Sequence, residues 1–133
     1  MTARAAMPDE APTMIQFDAF GQIFIGTIKE TPRIDQTTAA QFGEDLYTFA
    51  EKHPGAHLLI NFHEVEYLSS AGLTEILRVR GLLTEVGGSV RVCALNEYLQ
   101  NVFHVTSLDL LFQPQPLVRD AAEAYNESLA GEG

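Results

Sequence analysis

The sequence predicts an α/β fold: a small mixed sheet of four to five strands, with crossover helices mainly on one face. Short apolar runs alternate with segments whose apolar residues recur every three or four positions, as in a mainly parallel sheet joined by helices. Two strand-like runs stand side by side at the start, so the alternation opens on a hairpin and the sheet is mixed. A length of 133 residues suits one domain with one core.

The elements follow in order. Residues 1–13 are rich in Ala, Pro and acids and read as a loose extension, without the apolar stretch of a signal peptide. The folded domain spans 14–128 and a loose end 129–133. Met14 to Phe17 and Gln22 to Ile28 are the hairpin strands, with the turn placed in "DAFG". The first helix takes its cap from Asp35 or Thr37 and turns Ala39, Phe42, Leu46, Phe49 and Ala50 inward. Pro54-Gly55 stops it. "HLLINF", His57 to Phe62, is apolar almost throughout and reads as a strand covered on both faces.

The second helix starts near Ser69 and runs to Gly87-Gly88, with Leu73, Ile76, Val79, Leu83 and Val86 facing the sheet. "SVRVCAL" is the next strand. Asn96 caps a third helix carrying Leu99, Val102 and Phe103. "LLFQPQP" reads as an edge strand ending in prolines. Pro116 opens a last helix with Leu117, Ala121, Ala124 and Tyr125 inward, before a frayed "SLAGEG".

Charge and chemistry narrow the function. The net charge is −10, from 8 basic against 18 acidic residues, which opposes binding to nucleic acid or to an anionic membrane. No apolar run approaches spanning length. The single cysteine, Cys93, forms no internal disulfide, and its apolar setting marks it as buried and inert. These readings give a cytoplasmic protein. His53, His57, His63 and His104 are too dispersed for a metal site, and Asn61 at a strand end reads as a loop tie. No nucleotide loop is present, and "YLSSA" lacks the glycines of a hydrolase elbow, so neither an enzyme nor a cofactor is expected.

One stretch, "EYLSSAGLTEIL", carries the functional argument. Ser69 at the N-cap puts Leu68 at N′ and Leu73 at N4, the positions of a hydrophobic staple. Ser70 then falls at N1, pointing outward with no structural task. Gly72 costs roughly 0.5–1 kcal/mol in a first helical turn, which calls for a close neighbour or a partner. A helix N-terminus also tolerates a phosphate, through its free N–H groups and dipole.

From about Gly21 to Tyr125 the chain resembles the STAS domain of bacterial anti-sigma-factor antagonists. The resemblance rests on Asn61 ending a buried strand, on the serines before Gly72-Leu73, on the Gly87-Gly88 turn and on Thr106 to Leu108. It implies a binding protein regulated by phosphorylation, with Ser70 as acceptor and Asp35, Ser69, Ser70, Ala71, Gly72 and Thr74 on the partner surface. The implied partners are an anti-sigma factor serine kinase and a serine phosphatase. Two positions depart from the pattern: Ser69 replaces an Asp, and Ser107 often a Gly. The alternative for the same fold is an unmodified docking subunit of a transport or signalling complex.

Overall fold

The computed structural model describes residues 13–132, so the expected N-terminal extension lies almost wholly outside the described residues. The chain opens with β1 (Ile15–Phe20) and β2 (Ile23–Ile28), which pair antiparallel with Ile15 opposite Ile28. The turn sits at Gly21-Gln22, the end of "DAFG" and the residue after it, because the strand register carries Asp18, Ala19 and Phe20 into the ladder. Gly21 takes the left-handed conformation of this turn, at φ +62°.

Next comes β3 (Arg33–Ile34), a two-residue strand, then α1 (Ala39–Lys52), β4 (His57–Asn61), a second short strand β5 (Tyr67–Leu68) and α2 (Ser70–Thr84). After α2 the chain forms β6 (Ser89–Cys93), α3 (Glu97–Val105), α4 (Asp109–Phe112) and α5 (Val118–Glu132). The main sheet has the order β1-β2-β4-β6, with β2, β4 and β6 parallel. Separately, β3 pairs parallel with β5.

Alternation along the central strands separates two cores. Leu58, Ile60, Val90 and Val92 face a cluster built with Phe42, Leu46 and Phe49 of α1 and Ile76, Val79 and Leu83 of α2. Phe103 of α3 and Phe112 of α4 close this cluster edge to face, with ring centroids 6.0 Å apart. On the opposite face Ile23, Leu59 and Cys93 meet Ala121, Ala122 and Tyr125 of α5. Four helices therefore cover one face and a single helix covers the other, and this makes "HLLINF" apolar on both sides.

Four further expectations are corrected. "LLFQPQP" is not an edge strand: Asp109–Phe112 is a helical turn, and only Gln115 bridges to Cys93. Phe112 is fully buried, whereas Leu110 and Leu111 face outward, so the run obeys a helical spacing and not alternation. Val86 and Leu117, expected inward, are exposed because each lies just outside its helix. The "SLAGEG" segment continues α5 to Glu132, with Leu129 packed on the second cluster. At α1 the N-cap is Thr38 and makes no side-chain cap; Asp35 instead closes the turn before it.

Candidate functional site

The backbone leaves β5 at Leu68 and enters α2 one residue later, which makes Ser69 the cap. Its φ and ψ are −82° and 170°, extended, and its Oγ accepts the Gly72 N–H at 3.3 Å. The Ser69 carbonyl takes the Leu73 N–H at 3.0 Å. Of the first-turn donors this leaves the N–H groups of Ser70 and Ala71 without an intrahelical partner. Leu68 is buried and Leu73 packs on the same cluster, as a staple requires.

Ser70 stands at N1 and is exposed. Its carbonyl is held by the Thr74 hydroxyl at 3.0 Å, while its own hydroxyl makes no hydrogen bond among the described residues. Thr74 is exposed one turn further on, and Ala71 is half-buried against the core. Gly72 is buried and offers no surface. A Cβ there would stand 2.5 Å from Leu68 Cδ1 and 2.8 Å from Ile34 Cγ2, so the glycine lets α2 settle onto the two short strands.

Those short strands bring Asp35 to the site. Ile34 lies opposite Leu68, and the Ser69 N–H donates to the Ile34 carbonyl at 2.8 Å. Asp35 and Ser69 thus leave adjacent strand ends together. The Asp35 carboxylate accepts from the Thr37 hydroxyl at 2.7 Å and the Thr37 N–H at 2.9 Å. These bonds, the side-chain one foremost, hold its carboxyl below the usual range, although burial acts in the opposite sense. Asp35 therefore presents a fixed negative charge beside the tip of α2.

Three side chains that the sequence did not single out flank this tip. The Arg33 guanidinium lies 4.4 Å from the Tyr67 ring centroid, and Tyr67 stacks on Tyr98 of α3 at 5.8 Å. Asn96, the cap of α3, ties this edge down by donating to the Glu66 carbonyl at 3.2 Å. The pairing of β3 with β5 creates this row, and two-residue strands have no periodicity to read.

The other candidates serve structure. Asn61 is buried; its Oδ1 accepts the His63 N–H at 3.1 Å, which ties the loop after β4. Cys93 is fully buried, and burial pushes its thiol up to about 12, so it stays protonated and unreactive. The histidines stand apart: His57 bonds Ser89, His104 bonds Asp109, and His53 packs tilted against Phe24 and Phe49. Among the described residues no group of His, Cys, Asp and Glu is placed to hold a metal, and no helix is long and apolar enough to cross a membrane.

The sequence model of the STAS domain matches residues 15–124, well over half of the chain. The chain belongs to the STAS domain family. Its fold is shared with solved STAS proteins called anti-sigma-factor antagonists. One from Planctomyces limnophilus superposes with a TM-score of 0.77 at 19% identity, covering 86% of this chain and 99% of that one. One from Mycobacterium paratuberculosis gives 0.72 at 23% identity, covering 90% and 97%. The Bacillus cell fate determinant SpoIIAA, solved in its phosphorylated form, gives 0.61 at 16% identity, covering 83% and 97%. In this STAS domain, Ser107 adopts φ +61°, a left-handed conformation that explains why a glycine suits the position.

Proposed function

We propose that this STAS domain is an anti-sigma-factor antagonist in a partner-switching pathway, acting as a cytoplasmic binding protein and not as an enzyme. Unphosphorylated Ser70 lies in a surface that docks on an anti-sigma serine kinase, the docked kinase phosphorylates it, and a serine phosphatase resets it. One observation carries this reading: Ser70 is exposed at N1 while Ser69 already supplies the cap. A hydroxyl free of structural duty on a helix tip is available to a kinase. The phosphorylated form of SpoIIAA, a protein of the same fold, supports the reading that a domain of this fold carries a phosphate.

The physics of the switch is local. A phosphate on Ser70 is stabilised within the domain by the free N–H groups of Ser70 and Ala71 and by the helix dipole. It adds about −1.5 to −2 charges to a surface that already carries Asp35. Against a docked partner that charge must be desolvated beside a fixed carboxylate, which weakens binding. A loss of about 2.7 kcal/mol lowers affinity roughly a hundredfold, enough to release a competing sigma factor.

Calorimetric titration against the cognate kinase tests this. Ser70→Ala is expected to bind as the unmodified protein does, and Ser70→Asp to bind roughly a hundredfold more weakly while remaining folded. Equal affinities for the two variants would remove the switch and leave the unmodified docking subunit as the function of the fold.

A further inference from the structure

Far from Ser70, at the opposite end of α2, lies a cavity of about 290 Å³ with an unusual charge. A 15-residue helix is about 22 Å long, so the two ends of α2 are separate sites. The cavity wraps around the outer edge of β6, between the end of α2 and the face of α5. Arg80, Arg91 and His57 line it, and among the described residues no Asp or Glu does. In a chain carrying 8 basic and 18 acidic residues, two arginines beside one cavity without a carboxylate are a marked exception. A larger cavity of about 560 Å³, between α3 and residues 114–116, is by contrast lined by the carboxylates of Glu97 and Asp109.

Neutral partners hold Arg91 and His57 in place. Arg91 stacks on the Tyr125 ring at 4.5 Å and donates to Ser128 Oγ at 3.2 Å. That uses one of five guanidinium donors and neutralises no charge. His57 Nδ1 and Ser89 Oγ share a hydrogen bond at 2.7 Å, and Ser89 Oγ shares another with the Tyr125 hydroxyl at 2.6 Å. Nε2 of His57 makes no hydrogen bond among the described residues. Arg80 is half-buried and, among the described residues, has no carboxylate within 4.0 Å; Arg78, two positions earlier, is paired with Glu75 at 3.3 Å.

The sheet edge adds main-chain groups. The Ser89 N–H donates to the Ala56 carbonyl and the Cys93 carbonyl accepts from Phe62, so odd-numbered residues of β6 bond to β4. Even-numbered residues then face the open edge. There Gln115 reaches only the Cys93 end, through the Ala94 N–H. Val90, which lines the cavity, is left with an N–H and a C=O that no described residue satisfies.

We infer that this cavity is an anion site for phosphate chemistry, taking inorganic phosphate or a small phosphate monoester. The two guanidiniums supply charge-assisted donors, the Val90 N–H a neutral one, and the Val90 carbonyl accepts from the protonated oxygen of a monoanion. The inference is independent of what Ser70 does.

Amide and arginine side-chain NMR shifts of the full chain, titrated with inorganic phosphate and with glycerol 3-phosphate against sodium chloride of equal ionic strength, provide the test. Saturable shifts at Ser89, Val90 and the Arg91 guanidinium, absent with chloride, are expected. Tighter binding of glycerol 3-phosphate would identify a phosphate monoester as the ligand; equal binding would identify phosphate itself. Arg80→Gln and Arg91→Gln should each weaken binding about tenfold or more, whereas Arg78→Gln should leave it within about twofold. The amide spectrum of each variant reports its fold, and the wild-type titration stands without them. Shifts confined to Ser70 and Ala71, shifts reproduced by chloride, or equal weakening by all three substitutions would overturn the site.

Discussion

Ser69 and Ser70 are adjacent and chemically identical, and one step of backbone gives them different tasks. The extended conformation of Ser69 aims its Oγ back at the Gly72 N–H; helical geometry at Ser70 aims its hydroxyl outward. Ser69→Ala is therefore expected to cost about 1 kcal/mol, and Ser70→Ala to stay within about 0.5 kcal/mol of wild type. Urea denaturation of the two variants measures this, and a larger loss for Ser70→Ala would reverse the assignment. The division of labour was legible in the sequence, because N-cap and N1 are fixed by where the apolar helix repeat begins. Asp35 was legible as a cap and, through the family resemblance, as part of a partner surface. Its bonds to Thr37 form a local turn, whereas its place beside Ser69 depends on the pairing of Ile34 with Leu68, which no local pattern announces.

At the scale of the element, α2 holds two glycines that differ in everything but identity. Gly72 is packed against Leu68 and Ile34, and a methyl group there has no room. Gly81 is exposed near the other end, with open space where a Cβ would stand. Gly72→Ala should destabilise the domain by about 1–3 kcal/mol, because overpacking exceeds the gain in helix propensity. Gly81→Ala should stabilise it by about 0.5–1 kcal/mol, since only propensity changes. Thermal or chemical melts of both variants decide the matter: two changes of the same sign would mean that packing at Gly72 is not the constraint. The sequence showed that Gly72 needed a reason and left open whether that reason was a partner or a neighbour. The neighbour is Leu68 with Ile34, brought together by the β3–β5 pair. The same limit explains α4, whose four residues are too few for a helical repeat to outweigh the strand-like run of "LLF" and the prolines after it.

Across the whole molecule, α5 seals the second face of the sheet and buries two groups that titrate in alkali. Burial pushes the Cys93 thiol up to about 12 from an ordinary value of 9.0. It also pushes the Tyr125 phenol up to about 12 from 10.0, against the opposing pull of the Ser89 bond and the Arg91 charge. Both folded values exceed the unfolded ones, so the native state holds its protons longer. The stability this gives is full below about pH 9 and is lost as pH rises toward 12. Urea stability should fall by about 3 kcal/mol between about pH 8 and about pH 10.5. A Cys93→Ala variant should show a smaller fall over the same interval, and an unchanged slope would assign the alkaline loss elsewhere.

What the sequence by itself determined was everything set by short-range periodicity and caps. The apolar repeats fixed α1, α2, α3 and the central strands, and the charge balance argued against a nucleic-acid partner. Ser69 followed by Ser70 placed the helix tip, and the ordered motifs pointed to the STAS family. Tertiary structure decided which groups meet. The register of Ile34 with Leu68 set Asp35 beside Ser69 and built the Arg33, Tyr67 and Tyr98 row. The return of α5 to the far face gathered Arg91, Tyr125 and Ser89 around one cavity. These meetings join residues far apart in the chain. Their energies come from packing and hydrogen bonds that exist only once the sheet is closed, so no local pattern of residues records them.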